Sequence, residues 1–132
     1  FHDIFGHVPL LSNPVFSEFV QEFGKLGCQF LDDSEKLLQL QRLYWFTIEF
    51  GVIREQGKIQ SYGAGILSSY GETNQIHEEK ANFLDYSVEA IIQKVFRTDI
   101  MQEDYYVISS FETLFKSLKK LSKNWNQELS KA

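Results

Sequence analysis

The segment YWFTIEFG, residues 44–51, decides how this chain is read. Its acidic residue, Glu49, stands among Trp45, Phe46, Ile48 and Phe50. An ionised carboxylate in apolar company is costly unless something positive meets it. The chain opens with FHDIFGH, residues 1–7, which carries His2 and His7. Two imidazoles and a carboxylate from a separate segment form the ligand set of a facial triad. That set holds Fe(II) on one face and leaves the other open.

His2 and His7 are five positions apart, a rotation of about 140° on a continuous helix, which is poor for sharing one ion. Gly6 supplies a break between them, so His2 is expected in the last turn of a helix and His7 in the bend that follows. Glu49 is expected near the C-terminal end of its own helix, where the dipole disfavours a carboxylate. A divalent cation would outweigh that penalty. Ordinary explanations stand beside this one. Glu49 can pair with Arg42 or Arg54, and each histidine can be a hydrogen-bonded structural residue. No thiolate ligand is in evidence, which disfavours a Cys-rich structural zinc. Catalytic Zn(II) and Fe(II) both remain open on ligand chemistry alone.

Composition narrows the class. The chain has 132 residues, a net charge of −5, 12 Phe and 15% aromatic residues. An acidic balance gives no reason to expect nucleic-acid binding. The aromatics suit an aromatic-lined interior or a plain core. Cys28 is the only cysteine. It cannot form an internal disulfide, is expected to pack inertly, and suits a reducing, cytoplasmic compartment. No apolar run approaches the ~20 residues needed to span a bilayer, and no signal peptide is recognisable. A candidate ligand next to a chain end that begins with Phe1 suggests a fragment, 1–132, of one domain whose upstream part is missing.

The pattern predicts a mainly α chain with a small antiparallel β element. Asn13-Pro14 reads as a helix start, with Phe16, Phe19, Val20 and Phe23 on one face and Gly24 and Gly27 as its end. A second helix is predicted over 34–50, capped by Asp32 or Asp33. Val52–Glu55 and Lys58–Tyr62 read as strands joined at Gln56-Gly57. YGAGILSSYG, residues 62–71, reads as an ordered loop leading into a helix over 69–79. A short helix over 87–95, a strand over 105–108 and a final helix over 110–129 complete the chain. Leu114, Leu118 and Leu121 form the dry stripe of that last helix, opposite Lys116, Lys119, Lys120 and Lys123. His77 reads as a surface histidine.

FHDIFGHVPLLSNPVF, YWFTIEFGVI and SYGAGILSSYGE occur in this order. Together they resemble the pterin-dependent aromatic amino acid hydroxylases, most closely the bacterial phenylalanine 4-hydroxylases. The resemblance runs from residue 1 to about 112 and implies the C-terminal part of that family's catalytic fold. It implies Fe(II) bound by His2, His7 and Glu49, with a tetrahydropterin and O2 used to hydroxylate L-phenylalanine to L-tyrosine. By the same resemblance, Asp3 and Tyr44 approach the pterin, and Tyr44 and Glu49 are catalytic. Trp45, Gly65, Ser68 and Ser69 contact the amino acid, and Phe96 and Thr98 lie near the ring pocket. Bland roles remain for several: Trp45 and Tyr44 as core aromatics, and Ser69 as a helix cap. The chain lacks the C-terminal heptad helix of animal relatives, so a monomer is expected. The fragment alone is expected to be inactive and to expose apolar surface.

Two other readings compete. One is a non-catalytic domain or remnant in which His2, His7 and Glu49 are structural. The weaker is a zinc hydrolase built on the same ligands, against which stands the absence of an obvious general base beside the histidines.

Overall fold

A computed structural model describes residues 13–67, 70–77, 81–96 and 102–131. The first helix, α1 (Pro14–Gln29), starts as its sequence dictates. Asn13 Oδ1 accepts from Val15 N at 3.0 Å and Phe16 N at 3.1 Å, while Pro14 occupies a position that needs no N–H. The helix does not stop at Gly24 or Gly27. Each glycine costs about 1 kcal/mol there, but the apolar stripe continues through Leu26, which is buried with Phe16 and Phe19. Cys28 falls off that stripe and is exposed, so it does not serve as packing.

Helix α2 (Ser34–Tyr44) is capped by Asp33, whose Oδ1 accepts from Lys36 N at 3.0 Å. The α-helix expected to reach residue 50 ends at Tyr44, and the chain continues as a π-turn, Trp45–Glu49. There Phe50 N donates to the Trp45 carbonyl, five residues back, at 2.9 Å. A π-turn carries an extra residue in one turn and re-aims every side chain after it.

The strands β1 (Val52–Glu55) and β2 (Lys58–Ser61) pair antiparallel around a two-residue turn. Gln56 and Gly57 both have positive φ, 51° and 76°, the twist that a tight hairpin requires. Short helices α3 (Ala64–Leu67) and α4 (Tyr70–His77) follow, then β3 (Asn82–Asp85), α5 (Val88–Ile91), β4 (Asp104–Ile108) and the long α6 (Phe111–Lys131). Helix α5 is a single turn rather than the longer helix expected, and the His77 side chain lies outside what is described.

The antiparallel hairpin forms one side of a larger, mixed sheet of order β2-β1-β4-β3. Strand β4 pairs parallel with both β1 and β3. Alternate residues of β1 and β4 face opposite sides, as strand geometry demands. Ile53, Tyr106 and Ile108 join Phe16, Phe19, Leu43, Leu114, Leu118 and Trp125 in the main core, under α1, α2 and α6. Val52 and Tyr105 join Ile66 and Ile76 in a smaller core under α3 and α4. Helix α6 shows Lys116, Lys119, Lys120 and Lys123 to solvent and buries Leu114, Leu118, Leu121 and Trp125. No described helix is long and apolar enough to cross a membrane.

Candidate active site

The π-turn carries Trp45 and Glu49, and Tyr44 immediately precedes it. Thr47, at its centre, is fully buried, and its Oγ1 donates to the Leu43 carbonyl at 2.6 Å. A hydroxyl bonded to the carbonyl four residues back is known to perturb a helix, and here it lies where the pitch changes. Glu49 is the last residue of the turn and is half-buried. It stands at the end of a helical segment, where a carboxylate is least welcome. Arg42, considered above as its counter-ion, donates through Nη1 to the Ile92 carbonyl at 2.8 Å. Arg54 is exposed on β1.

Three glycines seat the turn against the loop after β2. Tyr62 N and Gly63 N both donate to the Gly51 carbonyl at 3.1 Å. A Cβ on Gly63 would collide with the Glu49 carbonyl, and one on Gly51 with the Tyr62 ring and the Thr47 carbonyl. A Cβ on Gly65 would sit 2.6 Å from Phe50 Cζ and 3.0 Å from the Glu49 carbonyl oxygen. At Gly63 main chain packs on main chain, and at Gly51 and Gly65 an aromatic ring and a carbonyl fill the place of a Cβ, which only glycine permits. Gly51 and Gly63 were not singled out from the sequence. Their place inside the quoted motifs was the available signal.

Trp45 forms an aromatic stack beside this seam. Its ring lies 4.7 Å from Phe96, nearly parallel at 17°, and 4.6 Å from Phe50 at 42°. Trp45 Nε1 donates to Gln102 Oε1 at 3.0 Å. Tyr44 is half-buried with its ring 5.8 Å from Phe23. The structure thus brings Tyr44, Trp45, Glu49, Gly65 and Phe96 onto one turn and its immediate surroundings. His2, Asp3, His7, Ser68, Ser69 and Thr98 lie outside the described residues. Among the described residues no three His, Cys, Asp or Glu side chains assemble into a metal-binding group; of the expected ligands they include Glu49.

The protein-family model for biopterin-dependent aromatic amino acid hydroxylases matches residues 1–131. The chain belongs to that family. A phenylalanine-4-hydroxylase of Ralstonia nicotianae is 45% identical over 116 residues, covering 87% of this chain and 37% of that protein. A tyrosine 3-monooxygenase of Drosophila melanogaster is 39% identical over 113 residues, covering 84% of this chain and 19% of that one. The iron- and phenylalanine-bound crystal structure of phenylalanine hydroxylase from Chromobacterium violaceum superposes with a TM-score of 0.83 at 41% identity. It covers 88% of this chain and 43% of that one. The hydroxylase fold therefore holds for the described part, and the chain spans about two fifths of the phenylalanine hydroxylases it matches.

Proposed function

We propose that the chain is the C-terminal part of the catalytic domain of a phenylalanine 4-monooxygenase, a cytoplasmic monomer using O2 and a tetrahydropterin. The observation that carries this reading is the half-buried Glu49, set by a glycine seam at the end of a π-turn that also bears the Trp45 stack. The donor chemistry fits ferrous iron, with His2, His7 and Glu49 as ligands, although Glu49 alone lies within the described residues. The bound iron would supply the open coordination positions at which dioxygen is activated with the pterin's electrons.

The chain's own residues have distinct tasks in this reading. Gly51, Gly63 and Gly65 fix the backbone that presents Glu49. Trp45, backed by Phe50 and Phe96, offers a rigid apolar face for the substrate ring and keeps water from it. Asp3 and Tyr44 face the pterin, and Gly65, Ser68 and Ser69 contact the amino acid.

The test uses the intact protein with ferrous iron, a tetrahydropterin and phenylalanine, tyrosine and tryptophan in competition. Tyrosine is the expected main product. Glu49→Ala should lower bound iron and cut turnover by at least about a hundredfold. Wild-type iron content and tyrosine formation in that variant would remove Glu49 from the ligand set. Preferred hydroxylation of tyrosine or tryptophan would move the protein to another branch of the family.

A further inference from the structure

Contact with the nearly parallel Phe96 ring and the tilted Phe50 ring restricts the plane of the Trp45 indole but does not fix its rotation within that plane. One directional contact does. The indole N–H is a donor only, so it requires an oxygen, and Gln102 Oε1 meets it at 3.0 Å. Gln102 lies just before β4 and is 6% exposed, one of two buried polar residues in the described structure. It is itself clamped. Gln75 of α4 donates through Nε2 to the Gln102 carbonyl at 2.5 Å and to Tyr105 Oη at 2.9 Å. Tyr105 is fully buried and stacks on Phe83 at 5.9 Å.

We propose that Gln102 is a positioning residue: it sets the in-plane angle of Trp45, and Gln75 holds Gln102 in place. The proposal rests on the hydroxylase reading, in which Trp45 is a wall of the ring pocket. An orienting hydrogen bond matters there because the pocket must place one ring carbon toward the reacting centre, and small misplacements are expensive.

The experiment uses the intact protein with 15N-labelled tryptophan, the Trp45 indole signal being assigned by its loss in Trp45→Phe. Gln102→Met removes the oxygen acceptor at similar size, and Gln102→Glu retains one. Gln102→Met should move the Trp45 N–H proton upfield and lower kcat for phenylalanine about tenfold, with KM changed less than about twofold. Gln102→Glu should restore both toward wild type. Gln75→Leu, which leaves both partners intact, should shift the signal in the same direction by less, and serves if the Gln102 variants fold poorly. An unmoved indole signal in Gln102→Met and Gln75→Leu overturns the hydrogen bond. A moved signal with unchanged kcat overturns the positioning role. Failure of the wild-type protein to hydroxylate any aromatic amino acid sinks the hydroxylase reading instead, and the indole signal still reports on the contact.

Discussion

Tyr62 buries its hydroxyl without a hydrogen-bond partner, alone in this among the described side chains. Burial, with a smaller contribution from the nearby Tyr86, pushes its pKa well above 10. Tyr86 is raised to about 12, chiefly by burial, although its hydroxyl shares a 2.7 Å hydrogen bond with Ser117 Oγ. An unsatisfied buried hydroxyl costs free energy that a phenylalanine avoids. Tyr62→Phe is therefore expected to stabilise the protein by about 1 kcal/mol, read from urea unfolding. The sign with pH follows from linkage. Both folded-state values exceed the unfolded one, so this contribution is intact below pH 10 and lost as pH rises toward and through the folded values. Tyr62→Phe should flatten the alkaline fall in stability. A loss of stability at neutral pH in this variant would mean that the hydroxyl has a partner.

Between elements, the seam of the π-turn and the loop after β2 leaves no room for an added methyl group at Gly51, Gly63 or Gly65. Gly63→Ala forces a methyl group into the Glu49 carbonyl, and overpacking of this kind costs about 1–3 kcal/mol. The variant should melt earlier and, in the intact protein, bind less iron; an unchanged melting temperature would refute the close packing. Some of these elements were legible in the sequence. Asn13-Pro14, Gln56-Gly57 and the leucine stripe of α6 each announce a local geometry that packing does not override. The π-turn left no such trace. In WFTIEF four of the six residues are apolar, so a change of pitch leaves little polar–apolar pattern to break. Strand β3 was missed because NFLD, a sheet-edge strand with most of its residues exposed, lacks the apolar alternation of a half-buried strand. The parallel pairings of β4 are long-range, and local spacing cannot encode them. Within the candidate site, the sequence pointed to Glu49 and Trp45, whereas Gln102 had no motif to mark it.

For the molecule as a whole, the main core joins α1, α2, two strands and α6 into one packed body. Leu118 is 1% exposed on the inner face of α6. Leu118→Ala should cost about 2–5 kcal/mol through the cavity it leaves, measured by chemical denaturation. A cost below about 1 kcal/mol would mean that α6 is only loosely docked. The order of strands in the sheet has a temporal side as well. Val52 pairs with Val107 and Ile53 with Ile108, partners more than fifty residues later. During synthesis, β1 leaves the ribosome with its β2 neighbour while its other edge still waits for β4. Until then an apolar strand edge stands open to chaperones or to other nascent chains. Gln102 and the apolar stripe of α6 arrive in the same late portion, so a stalled or truncated translation product would carry Glu49 and Trp45 without the oxygen that meets the Trp45 indole N–H.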